Sequence, residues 1–215
     1  MAIKSVIGAS VLIGSGLGAA LVVNAISNAN PAVASLDAAT GLVSNDEVVL
    51  TTSWDRANGR VTRITLATLD ATLLGVNTVD TNLFPAASGA AVGSNVKEIT
   101  WTAIGQIREW ASSGGETEFE DITTIADYVR KNKPTQKSAV NFDMTIFWDP
   151  KLAWWNTIQA LSESMAEYPF KIVLAGATDT LYGNGFVQLG KVPTITGTLL
   201  TTRLGFTIAS DITVL

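Results

Sequence analysis

The chain has 215 residues, a net charge of −5 and neither cysteine nor histidine. Within these residues the composition excludes disulfides, thiolate or imidazole metal sites, and catalytic arrangements of the Ser-His-Asp or Cys-His kind. The acidic balance argues against a protein that grips nucleic acid through its phosphates. A chain of this length can bury a substantial core, and we expect a single domain over residues 1–215.

The N-terminal segment permits several interpretations. Residues 5–23 are apolar after Lys4, and Ala32-Val33-Ala34 resembles a signal cleavage site. Residues 11–19 also fit the glycine fingerprint of a dinucleotide-binding turn, with Asp37 at a matching distance. Glycines and serines dilute the run below what a membrane span requires, and the chain lacks the repeated βαβ pattern of a dinucleotide fold. We therefore expect one or two strands interrupted by a glycine bend.

The next segments predict a hairpin followed by a long loop. Residues 47–54 and 60–66 are rich in strand-forming types and are joined by Asp55-Arg56-Ala57-Asn58-Gly59, a strong hairpin signal. The segment from about 70 to 95 is rich in Thr, Ala, Gly and Asn and has neither a helical nor an alternating period. It is predicted to be a loop insertion that packs against a neighbour, since it carries little charge.

Residues 97–108 form another alternating run, predicted to be a strand with a bulge at Gly105. One face of this strand is apolar and the other is polar. The apolar face consists of Ile99, Trp101 and Ala103. The polar face consists of Glu98, Thr100 and Thr102.

Charge is segregated between about residues 111 and 138, which we expect to be a loop or a short helix. The acidic residues are Glu116, Glu118, Glu120, Asp121 and Asp127. The basic residues that follow are Arg130, Lys131, Lys133 and Lys137. Helical spacing is present at Ile122, Ile125, Ala126 and Val129. A solvated segment explains such a run, and so does a contact between the acidic patch of one subunit and the basic patch of the next.

The clearest pattern begins at Val140. Apolar side chains alternate with polar ones up to Trp148, as in a half-buried strand. The pair Asp149-Pro150 is predicted to cap a helix and to occupy its first position. Apolar residues then follow at steps of three or four, namely Trp154, Trp155, Ile158, Leu161 and Met165. Because Pro169 disfavours helical geometry before it, the helix must end by Tyr168.

Strands are predicted for the rest of the chain. The first covers residues 170–174, and the second covers residues 181–189. The second contains Gly183-Asn184-Gly185, which is typical of a tight turn or a bulge. Residues 202–215 are predicted to form one long alternating strand.

Carboxylates are the remaining candidates for acid-base catalysis. Asp143 and Asp149 bracket an aromatic strand, but a solvated strand face and a helix cap explain them, so no catalytic residue is assigned. Tryptophans can form a sugar-stacking platform, but cores and subunit interfaces are their commoner locations. These tryptophans are Trp101, Trp110, Trp148, Trp154 and Trp155. We expect no enzyme activity, no cofactor and no metal.

The order of elements after Val140 resembles the tail tube proteins of long-tailed bacteriophages, the siphophages. In that family a strand leads into a helix, followed by a Phe-Lys-Ile strand, a Gly-Phe-Val strand and a closing strand. A second resemblance, to one tail tube subfamily, lies in residues 26–33, 46–50, Trp54 and 58–61. The resemblance implies a mainly β (α+β) sandwich or barrel with one flanking helix and long loops. It also implies a structural virion protein, made in the host cytoplasm.

The family's usual assembly is a hexameric ring whose inner strands close a continuous barrel, with long loops clamping adjacent rings. The resemblance thus implies a hollow tail tube, a conduit for double-stranded DNA, with tape measure and tail terminator or tip proteins as partners and no membrane. Acidic groups facing the lumen would repel phosphate, and hydroxyl groups there would avoid binding it tightly. Candidates for that face are Glu98, Thr100, Thr102, Asn141, Asp143 and Thr145. Lysine at Glu98 and Asp143 is expected to slow DNA release and leave tubes intact.

Two alternatives stay open on the sequence. The first is a secreted β-sandwich that binds carbohydrate, which predicts a monomer with a processed N-terminus. The second is a tube protein of a contractile or type VI secretion-like system, which shares the architecture but carries effectors instead of DNA.

Overall fold

The computed structural model describes residues 8–39, 41–85, 94–126, 128–174, 179–196 and 198–215. This part of the chain forms sixteen strands and one helix, so the prediction of a mainly β fold with one helix is confirmed. The strands of the first half are β1 (Ser10–Leu17), β2 (Leu21–Ile26), β3 (Ala32–Leu36), β4 (Glu47–Thr51), β5 (Arg60–Ala67), β6 (Asp70–Leu73) and β7 (Asn95–Ile104). The later elements are β8 (Ile107–Ser113), β9 (Thr117–Asp121), β10 (Asn132–Lys137), β11 (Asn141–Phe147), α1 (Ala153–Ser164), β12 (Glu167–Val173), β13 (Thr180–Leu189), β14 (Thr194–Thr196), β15 (Leu199–Ile208) and β16 (Thr213–Val214).

The first hydrophobic core fills a closed barrel. Strands β2, β3, β6, β5, β4 and β7 pair in that order, and β2 pairs again with β7, which leaves no free edge in this part of the described chain. The inward side chains include Val23, Ala34, Leu36, Val48, Leu50, Ile64, Leu73 and Val96. The predicted hairpin joins β4 to β5, and Gly59 takes the left-handed φ of 71° that its turn requires.

The predicted loop from about 70 to 95 is only partly a loop. Its first four residues form β6, because Ala71 and Leu73 are fully buried in the barrel while Asp70 and Thr72 point outward. A strand this short has too few residues to establish a period. Residues 74–85 form neither helix nor strand, and residues 86–93 lie outside the described part of the chain.

The N-terminal run forms β1 and β2, separated by residues 18–20, as expected for strands with a glycine bend. In a dinucleotide-binding unit a helix would follow the glycine turn, but here β2 continues along β7 beside β1. The dinucleotide interpretation is therefore wrong. Within the described residues, no helix combines the length and apolarity needed to cross a membrane.

The second core is formed by the C-terminal strands together with β1 and β7 from the first half of the chain. Strands β7, β1, β12, β13, β15, β11 and β8 pair in that order. At Gly105 and Gln106 the chain bends, so that β7 pairs with β1 while the following β8 pairs with β11, and the sheet returns on itself. The enclosed side chains include Val11, Ile13, Ile104, Phe142, Met144, Ile146, Phe170, Ile172, Leu204 and Phe206. The irregularity predicted at Gly105 is thus a corner between two strands.

Helix α1 covers this core but begins later than predicted. Its N-cap is Leu152, which makes no side-chain capping bond. The carboxylate of Asp149 instead accepts the backbone N–H of Lys151 at 3.1 Å, a local turn that precedes the helix. The buried face consists of Trp155, Ile158 and Leu161. The helix ends at Met165 with a left-handed φ of 53°, before the predicted limit.

Strand β13 runs straight through Gly183-Asn184-Gly185, so the predicted turn or bulge is wrong. The glycines allow close packing instead. A Cβ on Gly183 would lie 2.5 Å from the Phe170 ring, and one on Gly185 would lie 2.1 Å from the carbonyl oxygen of Thr207. The two glycines in the sequence indicate positions where no larger side chain fits. They do not show whether the reason is a turn or a close contact between neighbouring strands.

The predicted closing strand of residues 202–215 is two strands. β15 ends at Ile208, and the backbone N–H groups of Ala209 and Ser210 donate to the carbonyl oxygen of Asn184. The chain then crosses to the other part of β13, where β16 pairs with it. The predicted strand is interrupted after Ile208 because Ala209 and Ser210 bond to Asn184 of β13 instead of continuing the pairing of β15.

A largely buried polar cluster, here named the clasp, joins the first barrel to the C-terminal sheet. Lys171 Nζ lies 2.5 Å from Glu47 Oε2, and the Tyr182 hydroxyl donates to Glu47 Oε1 at 2.7 Å. Lys171 also lies 4.6 Å from the centre of the Trp101 ring. Burial and the bond to Glu47 raise the pKa of Tyr182, which keeps the phenol protonated as a donor. Apolar contacts around the clasp involve Val49, Val61 and Ile99.

Candidate assembly surfaces

The six side chains predicted to face a lumen lie on opposite faces of the C-terminal sheet. Residues directly opposite one another in an antiparallel pair share a face. Thr102 is opposite Ile13, whose side chain is buried in the second core, so the β7 candidates project from the side of β7 that faces this core at Thr102, and Glu98 and Thr100 on that side are exposed. The β11 candidates alternate with buried core residues and project on the other side. The β7 set is Glu98, Thr100 and Thr102, and the β11 set is Asn141, Asp143 and Thr145.

The side of the sheet away from the core, at β8, β11, β13 and β15, forms what we name the outer polar face. Strand registers place eight polar residues on it, namely Glu109, Ser113, Asn141, Asp143, Thr145, Gln188, Arg203 and Thr207. Most of these carry hydroxyl or amide groups. Within the described chain, no group of three or more acidic side chains is arranged to hold a metal ion. The outer polar face is therefore polar but has no concentrated cluster of acidic groups among the described residues.

The charges on the outer polar face are paired. Arg203 Nη2 lies 2.6 Å from Asp143 Oδ1, and Arg203 Nε donates to the same oxygen at 2.8 Å. The hydroxyl of Thr207 donates to Asn141 Oδ1 at 2.9 Å. The sequence analysis identified Asp143 but missed Arg203, although Arg203 lies on the polar side of the alternating strand β15. Pairing between strands 60 residues apart has no local sequence signal.

Strands β9 and β10 form a two-stranded hairpin that pairs with no other strand of the described chain. We name residues 114–126 and 128–138 the arm. The short helix predicted here is wrong, because the described part of this segment contains only the two strands and irregular turns. Every residue of β9 and β10 is exposed. Cross-strand pairing of the charged segments, rather than a buried apolar stripe, holds the hairpin together.

The segregated charges of the arm fold onto one another. Lys133 lies directly opposite Glu120, and Arg130 Nε lies 3.6 Å from Asp121 Oδ2. Hydrogen bonds from the side chain and the backbone of Thr123 lower the pKa of Asp121. The remaining members of the predicted inter-subunit set, Glu116, Glu118 and Lys131, lie on the same hairpin, whereas Asp127 is outside the described residues. Partners within the chain thus account for several of these charges.

The arm also exposes large apolar side chains. They are Phe119, Ile122, Ile125, Tyr128 and Val129. Ile125 and Tyr128 are as accessible as in an extended chain, at 109% and 105%. Monomeric soluble proteins rarely leave neighbouring apolar side chains in water to this extent, so the arm has the composition of a contact surface.

Comparison with known protein families agrees with the presence of surfaces suited to subunit contact. A family model described as "Phage tail tube protein, TTP" matches residues 52–215. The chain belongs to the phage tail tube protein family. No curated protein matches this sequence. The matched region contains the C-terminal pattern on which the resemblance was drawn, and the tail tube prediction is confirmed.

As a tail tube protein, the chain is a structural component of the virion tail. This location makes the secreted carbohydrate-binding interpretation wrong. The matched region includes the outer polar face, the arm and the clasp residues on β12 and β13, whereas Glu47 precedes it. The surfaces described above are therefore parts of the tail tube domain itself.

Proposed function

We propose that this tail tube protein forms stacked hexameric rings around a continuous channel, and that double-stranded DNA passes through the channel during ejection. The outer polar face carries the proposal. It is the exposed side of a sheet whose opposite side is filled by the second core, so a ring of subunits can present it inward while that core stays covered. Phe186, which is opposite Thr207, is an apolar side chain exposed on this face. On the same resemblance, a tape measure protein occupies the tube, and terminator and tip proteins bind its ends.

The edge of β8 supports closure of such a ring. Among the described strands, β8 pairs only with β11, so its other edge presents backbone groups without strand partners. Joining this edge to a neighbouring subunit would extend the outer polar face from one copy to the next. A closed barrel in the middle of the ring removes every such edge.

The chemistry of the outer polar face suits passage rather than binding. Proteins that hold DNA present rows of unpaired Lys and Arg to the phosphates. Here Arg203 is paired with Asp143, and Glu109 lies 3.4 Å from Arg108. Hydroxyl and amide groups fill the space between them. We therefore propose Asn141, Asp143 and Thr145 as lumenal residues, and not the β7 set, which lies on the other side of the sheet.

Phages whose tails carry Asp143→Lys are expected to assemble and to eject DNA severalfold more slowly. The new ammonium lies beside the Arg203 guanidinium in every subunit, which converts a paired charge into a repeated cationic row. Release is measured as the fluorescence of a DNA-binding dye after triggered ejection.

Glu98→Lys is the matched control, since it makes the same change of charge on an exposed residue of the opposite face. Ejection should be unchanged in this variant. Normal ejection from the Asp143→Lys tail, or equally slow ejection from the Glu98→Lys tail, would refute the proposed lumenal face.

A further inference from the structure

A second exposed apolar surface lies at the beginning of β15, where β14 pairs with it. Four large apolar side chains are exposed there, namely Val192, Ile195, Leu199 and Leu200. Ile195 is directly opposite Leu200, so these two side chains share a face. Ile195 is 74% exposed. We name these four residues the β15 tip.

The β15 tip and the base of the arm lie at opposite ends of the same pair of strands. The arm leads into β11 beside Asn141, which is opposite Thr207 on β15. The register ends at Phe147 opposite Thr201, next to the tip. Six residue steps at about 3.4 Å each separate the two ends by about 20 Å. Within one chain both surfaces remain exposed.

A second copy of the chain is the occupant that fits both surfaces. Several charges of the arm have partners within the hairpin, so its apolar side chains gain most from burial. Because the two surfaces lie at opposite ends of one strand pair, each copy can insert its arm at one end and receive another arm at the other. Contacts of this heterologous kind repeat from copy to copy, as a ring or a tube requires.

We propose that the apolar part of the arm, around Ile125 and Tyr128, binds the β15 tip of a second copy in a head-to-tail contact. The contact rests on the proposed function, because it operates between subunits of the tube. It assigns the arm a defined acceptor surface. In this contact the apolar side chains of the arm, rather than its segregated charges, contribute most of the binding between subunits.

Disulfide trapping tests this contact, since the natural chain has no cysteine. Ile125→Cys and Ile195→Cys proteins are prepared separately, mixed under assembly conditions and oxidised. The mixture should give a covalent dimer that neither variant gives alone. A mixture of Ile125→Cys with Val43→Cys is the matched control, because Val43 is an exposed apolar residue outside both surfaces, and it should give no dimer.

Aspartate substitutions provide an independent readout. Ile125→Asp and Ile195→Asp should each raise the concentration needed for assembly at least tenfold, whereas Val43→Asp should not change it. A dimer from Ile125→Cys alone would indicate arm-to-arm contact and overturn the proposal. Tubes that form at the normal concentration from both aspartate variants, with no disulfide in the mixture, would also overturn it and leave the tube itself standing. Failure of the natural chain to assemble would instead count against the proposed function.

Discussion

Replacement of Glu47 by glutamine is expected to lower the free energy of unfolding by about 3 kcal/mol, because it leaves the Lys171 ammonium without its counter-charge in a largely buried site. The Lys171 and Glu47 side chains are only 15% and 16% exposed. The phenol of Tyr182 can still donate to the amide oxygen of the new side chain, so the loss reports mainly on the uncompensated lysine. Urea unfolding below the assembly concentration measures the change.

Removing both charges separates this effect from a general loss of packing. The double variant Glu47→Gln/Lys171→Met should recover most of the stability, since no unpaired charge remains. Glu163→Gln is the matched control, because it removes an exposed ion pair with Lys191 and should leave the unfolding midpoint nearly unchanged. Equal midpoints for Glu47→Gln and Glu163→Gln would show that the clasp contributes little to joining the first barrel to the C-terminal sheet.

Gly185→Ala is expected to destabilise the protein by about 3 kcal/mol or more, because the added methyl group would meet the backbone of β15. Its Cβ would lie 2.1 Å from the Thr207 carbonyl oxygen and 2.9 Å from the Ile208 Cα. Neither atom belongs to a side chain that can rotate away. The strands must separate locally, which also displaces Thr207 on the outer polar face, and fewer tubes should form.

The control is Gly16→Ala, another glycine within a strand, where the nearest atom to a new Cβ is 3.7 Å away. Its thermal midpoint should stay close to that of the natural protein. A loss of about 3 kcal/mol in Gly185→Ala corresponds to a decrease of roughly 6–12 °C in a domain of this size. Similar midpoints for the two variants would contradict the close approach of β13 and β15.

Elements with strong local patterns could be predicted from the sequence. The alternation that begins at Val140 gives β11 and its buried face, and Asn58-Gly59 gives the β4–β5 hairpin. The apolar spacing from Trp155 to Leu161 gives the buried face of α1. In each case residues a few positions apart determine the structure.

Features that depend on distant pairing could not be predicted in this way. Closure of the first barrel needs β2 to meet β7, and the paired charge on the outer polar face needs Arg203 to meet Asp143. Both polar faces, on β7 and on β11, alternate equally well in sequence. Only the registers through β1, β12, β13 and β15 show that they point in opposite directions.

The arm shows a different limit. Residues 122–129 have helical spacing, but the acidic and basic runs on either side pair across a hairpin. An apolar stripe favours a helix only when another element covers it, and no described element covers this one. Because these apolar side chains are exposed in the single chain, we infer that the arm takes part in assembly.

The most direct test of the central claim is electron microscopy of the purified protein over a concentration series, with light scattering to determine mass. Stacked rings or tubes with a continuous central channel are the predicted result. A protein that keeps the mass of a single subunit at every concentration, without rings, would contradict the account.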